Sequence, residues 1–115
     1  MAGLRLRTLN TADRAILVAR GDIDLNTAAL LDAKLNQLTS KYRKLEVNLN
    51  GTNYVDSTGL ASLLRAHKYL DMMGGEFCIT GCQPLVSRIL HLVGFNNLFS
   101  ISEHEPRSLR IPEVV

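Results

Sequence analysis

Tryptophan is absent from this chain of 115 residues, and aromatic side chains make up only 5% of it. The arginines Arg5, Arg7, Arg14 and Arg20 therefore have no aromatic partners interleaved with them. They also fall on two predicted strands separated by a turn, and the formal net charge is only +2, so no direct nucleic-acid partner is expected. Cysteine is nearly as scarce. Cys78 and Cys82 are too few for a disulfide framework and have the wrong spacing for a redox Cys-x-x-Cys pair. With His67 and His91 on separate predicted helices and His104 near the tail, no cluster has metal-ligand spacing, and no metal site is expected. The chain also lacks a Gly-x-x-x-x-Gly-Lys-Ser/Thr phosphate loop, so no cofactor is assigned. No apolar run approaches the roughly 20 residues that cross a bilayer, and neither end reads as a secretion signal. These absences lead to the expectation of a cytoplasmic protein without membrane insertion.

Hydrophobic residues, in contrast, reach 46%, enough for one domain over residues 1–115 with a modest core. Leu4-Arg5-Leu6-Arg7 alternates as a strand, and Arg14 to Arg20 is a second strand with a continuous apolar middle; the two pair as a hairpin across Asn10–Asp13. Asn26 or Thr27 caps a helix that runs to about Ser40 with Ala28, Leu31, Leu35 and Leu38 as its core stripe. Lys44–Leu49 alternates with period two, as a strand does. A second helix then carries Leu60, Leu63, Leu64, His67 and Leu70 on one side and stops at Gly74-Gly75. Glu76–Thr80 is the next strand, and Pro84 opens a third helix with the stripe Val86, Ile89, Leu90 and Val93, before a last strand near Phe99-Ser100-Ile101. The order β-β-α-β-α-β-α-β predicts an α/β fold with a mixed, mainly parallel sheet and helices packed against it.

The most informative segment is Asp56-Ser57-Thr58-Gly59-Leu60, which places a carboxylate and two hydroxyls where an apolar strand gives way to an amphipathic helix. Unpaired N–H groups and a partial positive charge at a helix start suit an added phosphate. Capping by Asp56 or Ser57 is the plain structural alternative. In sheets of this type the loops at the carboxyl ends of the strands share one surface, and Asp22 and Asp24 lie in a second such loop, so two segments far apart in sequence converge.

Gly21-Asp22-Ile23-Asp24-Leu25-Asn26-Thr27-Ala28, followed by Leu45-Glu46-Val47-Asn48-Leu49 and then by Val55-Asp56-Ser57-Thr58-Gly59-Leu60, resembles the STAS domain of bacterial anti-sigma-factor antagonists. The resemblance covers nearly the whole chain, including the order of its elements. It implies a single STAS-like domain that works by partner switching. Ser57 matches the hydroxyl that is phosphorylated by an anti-sigma factor that is also a serine protein kinase, and a metal-dependent serine phosphatase removes the phosphate. The unmodified form binds the kinase and frees a sigma factor. By the same match, Asp24 is the loop carboxylate beside the acceptor, Asp56 the preceding acid, Thr58 the second hydroxyl, and Gly59 the helix start. Ser62, Arg65 and Lys68, opposite the leucine stripe, are the expected exposed partner-binding side of the helix. Asn26 and Tyr54-Val55 depart from the residues common in the family, which bears on partner identity.

Two other functions compete. A soluble STAS subunit of a phospholipid-transport complex would show a similar strand-to-helix junction. An enzyme would need a base for Ser57, and His67, ten residues along the same helix and roughly 15 Å from its start, cannot reach it; the chain reads as a substrate of enzymes rather than as one.

Overall fold

A hairpin opens the fold of the computed structural model, which describes residues 3–104. Strand β1 (Arg5–Asn10) pairs antiparallel with β2 (Arg14–Arg20), with Asn10 opposite Ala15 at the turn. Then come α1 (Ala28–Thr39), β3 (Lys44–Gly51), α2 (Ser57–Met72), β4 (Glu76–Thr80), α3 (Pro84–Leu92), a short 3-10 turn (Phe95–Asn97) and β5 (Ser100–Ile101). The sheet has the order β1-β2-β3-β4-β5, and every pairing after the hairpin is parallel. This is the element order and the mixed sheet expected from the sequence.

Each parallel connection steps one strand in the same direction, and right-handed crossovers of that kind lay their helices on one face. The core forms between that face and the helices. Leu17, Val47 and Ile79 of the strands meet Leu31 and Leu35 of α1, Leu63 and Leu70 of α2, and Val86 and Leu90 of α3. Helix α2 ends where Gly74 takes a φ of 76°, a left-handed conformation that glycine adopts without a Cβ penalty.

Several local expectations are corrected. The period-two alternation of β3 has no counterpart in its exposure: Leu45 through Leu49 are all buried because the strand lies between β2 and β4 at the centre of the sheet. Glu46 is 1% exposed. Its Oε2 accepts a hydrogen bond from the Thr80 hydroxyl at 2.7 Å, and the Arg14 guanidinium lies 3.7 Å from Oε1. In α2 the buried residues are Gly59, Ser62, Leu63, Ala66 and Leu70, whereas Leu60 and Leu64 are only partly covered. The buried stripe is turned by about one position because α2 packs on α1 as well as on the sheet. In α3, Ser87 is buried while Val93, beyond the last turn, is exposed. Cys82 is in the core, but Cys78 is half-buried and alternates with Phe77 and Ile79 onto the face opposite the helices.

The arginines sit closer together than their separation in sequence suggests. The register sets Arg5 opposite Arg20 and puts Arg7 and Arg14 on the same face of the hairpin. Arg14 is directed at Glu46 rather than left as part of a bare cationic strip.

Candidate functional site

Two loops at the carboxyl ends of β2 and β3 are joined through their backbones. Ile23 forms an isolated parallel bridge with Val55. Its N–H donates to the Tyr54 carbonyl at 2.9 Å, and its own carbonyl accepts from the Asp56 N–H at 2.9 Å. Ile23 is fully buried, so the polar residues on either side of it are turned outward over an apolar anchor.

Asp24 shapes the first loop. Its Oδ1 accepts from the N–H groups of Asn26 at 2.9 Å and Thr27 at 3.2 Å, an Asx turn that leads into α1. The Thr27 hydroxyl accepts from the Asp24 N–H at 2.9 Å and donates to the Asp22 carbonyl at 2.9 Å. Thr27 thus occupies the cap position of α1 and spends its side chain on the loop.

Asp56 caps α2. Its Oδ1 accepts from the N–H groups of Thr58 at 2.9 Å and Gly59 at 3.2 Å and from the Thr58 hydroxyl at 2.5 Å. The Thr58 hydroxyl, followed by the N–H groups of Gly59, Thr58 and Leu25, outweighs partial burial and holds the carboxyl below its ordinary pKa of 3.8. A lowered native pKa means that ionised Asp56 stabilises the fold above the ordinary carboxylate range and that this contribution is lost as pH falls through the native value.

Ser57 is the first residue of α2 and is exposed. Among the described residues, none hydrogen-bonds its hydroxyl. The adjacent hydroxyls therefore differ sharply: that of Thr58 is committed to Asp56, and that of Ser57 is open to an approaching partner. Gly59 completes the junction. A Cβ there would overlap Ile23 Cγ2 and lie 3.0 Å from Val55 Cγ1, so the absence of a side chain lets the helix start close onto the first loop.

Of the expected site residues, the fold brings together Asp24, Asp56, Ser57, Thr58 and Gly59. Ser62 is a correction. It is 1% exposed, and its hydroxyl donates back to the Thr58 carbonyl at 3.2 Å and accepts from Arg65 at 3.3 Å, so it is not on the exposed side of the helix. Arg65 is exposed and reaches Asp32 of α1 at 2.7 Å. Lys68 is exposed beyond it. Counting along α2, they lie about 12 and 16 Å from Ser57 at about 1.5 Å per residue, outside its immediate surroundings.

The site also has an apolar rim. Leu25 is 75% exposed and Tyr54 is 46% exposed, and both flank the stitched loops. Tyr54 stands out in the sequence as a departure from the family's residues, whereas the sequence signal for Leu25 is only a leucine between Asp24 and Asn26 in a polar loop. A cavity of about 420 Å³ lies at the amino ends of β3 and β4, beside Arg14, Glu46, His67 and Phe99. None of Asp24, Asp56 or Ser57 lines it. His67 packs against Phe99 at a ring separation of 5.1 Å, on the flank of α2 away from the loops. Among the described residues no His, Cys, Asp and Glu group is arranged to hold a metal ion, and no helix is long and apolar enough to cross a membrane.

The STAS domain profile matches residues 6–107. The chain belongs to the STAS domain family. It is 26% identical over 106 residues to the anti-sigma F factor antagonist of Paenibacillus polymyxa, an alignment covering 89% of this chain and 91% of that protein. The STAS fold is shared with a crystal structure described as a putative anti-sigma factor antagonist of Thermotoga maritima, with a TM-score of 0.81 at 20% identity over 90% of this chain and 88% of that one. It is shared also with the Bacillus cell fate determinant SpoIIAA in its phosphorylated form, with a TM-score of 0.71 at 14% identity over 92% and 94% of the two chains.

Proposed function

We propose that this STAS domain is an anti-sigma-factor antagonist whose binding is switched by phosphorylation of Ser57. The unmodified protein binds an anti-sigma factor that is also a serine kinase, and a sigma factor is released. The kinase transfers a phosphoryl group to Ser57, binding ends, and a metal-dependent phosphatase restores the unmodified form. The chain acts in the cytoplasm as a binding protein and as a substrate of these enzymes. The observation that carries this reading is the exposed Ser57 hydroxyl at the first position of α2, without a hydrogen-bond partner among the described residues and framed by the Asp24 loop. The names of the relative and of the fold neighbours agree with it.

The partner surface is centred on Ser57, Asp56, Gly59 and the Asp24 loop, with Leu25 and Tyr54 as its apolar contacts. Aromatic and aliphatic anchors at the middle of an interface, with polar groups around them, supply most of the binding energy in such surfaces. Arg65 and Lys68 form its outer part along α2, and Thr58 contributes through its hold on Asp56. The test is recovery of partners on immobilised unmodified protein, followed by incubation with ATP and mapping of the phosphorylated residue. A small ATP-binding kinase that phosphorylates Ser57 is the expected result. Recovery of a transporter ATPase in its place would assign the chain to phospholipid transport.

A further inference from the structure

The junction presents two adjacent hydroxyls, and the structure treats them unequally. Thr58 Oγ1 donates its single proton to Asp56 Oδ1 at 2.5 Å, within the short range of hydroxyl-to-carboxylate bonds. The same oxygen of Asp56 is fixed by the Thr58 and Gly59 N–H groups. The Thr58 hydroxyl cannot turn toward an incoming partner without giving up its bond to the cap carboxylate.

We infer that Asp56 is a positioning residue that confines phosphoryl transfer to Ser57 by engaging the neighbouring Thr58 hydroxyl. This rests on the reading of the site as a phosphorylation switch. In the transfer, a bond forms between the Ser57 oxygen and the terminal phosphorus of a nucleoside triphosphate held by the kinase. The bond from that phosphorus to its bridging oxygen breaks, the nucleoside diphosphate leaves, and the serine proton passes to a base on the kinase. Thr58 fails at two points. Its proton is directed at Asp56 rather than at the kinase, and its oxygen lies beside an ionised carboxylate that repels the triphosphate.

A carboxylate that accepts a hydroxyl proton can also act as the base that activates the hydroxyl, so Asp56 has two opposed possible effects on Thr58. Its lowered pKa makes it a weak base and favours the restraining one. The two effects predict opposite results in a Ser57→Ala background, where only Thr58 remains to be modified.

Wild type, Asp56→Gly, Ser57→Ala and Ser57→Ala/Asp56→Gly are incubated with the cognate kinase and ATP, and the phosphorylated residue is mapped by mass spectrometry. Glycine is an accepted helix N-cap, so Asp56→Gly removes the carboxylate while sparing the helix, and a thermal melt verifies the fold. The inference expects phosphate on Ser57 in wild type and in Asp56→Gly, none in Ser57→Ala, and a gain of phosphate on Thr58 in the double variant. Phosphate on Thr58 in Ser57→Ala that disappears with Asp56→Gly overturns it and makes Asp56 a base. No phosphate on Thr58 in either Ser57→Ala variant, with Ser57 modified in wild type and in Asp56→Gly alone, overturns this inference alone; loss of Ser57 phosphate in Asp56→Gly alone also overturns it, because Asp56 would then serve docking rather than the choice of acceptor; no phosphate on wild type overturns the switch as well. A kinase-independent measurement covers loss of folding: the Thr58 hydroxyl proton is expected as a slowly exchanging NMR signal in wild type, and its absence there overturns the restraint.

Discussion

Gly59 and Ile23 approach so closely that a methyl group on Gly59 would overlap Ile23 Cγ2. This contact joins the start of α2 to the loop after β2 and sets where Ser57 stands relative to Asp24. Because Ile23 is fully buried and bridged to Val55, it has no room to withdraw. Gly59→Ala is therefore expected to lower stability by about 1–3 kcal/mol, the usual cost of overpacking, and to weaken partner binding as the loops separate. Urea denaturation measures the first effect. Unchanged stability would show that the junction relaxes freely and that the close approach is unimportant.

The apolar rim is expected to serve binding rather than folding. Leu25 is 75% exposed, so Leu25→Ala should change stability by less than about 0.5 kcal/mol while reducing affinity for the anti-sigma partner, and Tyr54→Ala should behave similarly. Leu63, fully buried in α2, is the contrast: Leu63→Ala should cost about 2–5 kcal/mol of stability. Paired melts and titrations separate the two classes, and a large loss of stability in Leu25→Ala would remove it from the interface.

Much of the fold is legible in the sequence because its signals are local. Apolar runs mark the strands, Pro84 opens α3, and Gly74 ends α2. The misreadings arise where one element touches two surfaces. The leucines of α2 suggest a stripe through Leu60 and Leu64, but contact with α1 draws Ser62 and Ala66 inward and Ser62 out of the partner surface. Likewise β3 alternates in chemistry without alternating in exposure, since Glu46 is enclosed on the far side of the sheet with Thr80 and Arg14. At the site, Asp56 and Ser57 are visible as a capped helix start. That Thr58, one residue on, points to a different side of the helix start than Ser57 is legible too, but that its hydroxyl turns back to Asp56 is not, because it depends on the side-chain rotamer.

Thr80 and Glu46 test that enclosed polar contact. Thr80→Val keeps the shape and removes the hydroxyl that donates to Glu46 Oε2. A hydrogen bond to a charged group typically contributes about 1.5–3 kcal/mol, and a loss of that size is expected in chemical denaturation, with phosphorylation of Ser57 unaltered. A neutral effect would mean that the contact contributes nothing to stability.

The cysteines are expected to be unreactive in the native protein. Burial, aided by the nearby Glu46 charge, pushes the Cys78 thiol up to about 11, and burial, aided by Glu103, pushes Cys82 up to about 12. At neutral pH the nucleophilic thiolate is correspondingly rare. Labelling with a thiol reagent should be slow in buffer and fast in denaturant; rapid labelling of the native protein at either position would contradict the expectation.

Phosphate on Ser57 should end binding while leaving the fold in place. At a helix N-terminus the added charge is favourable by about 0.3–1 kcal/mol, offset in part by Asp56. Within an interface the same group must be desolvated, at a cost of several kcal/mol where about 1.4 kcal/mol is tenfold in affinity. The direct measurement is a calorimetric titration of unmodified and Ser57-phosphorylated protein against the anti-sigma kinase, with a thermal melt of each. The prediction is a loss of affinity of about a hundredfold or more on phosphorylation with both forms folded; equal affinities, or an unfolded phosphorylated form, would contradict it.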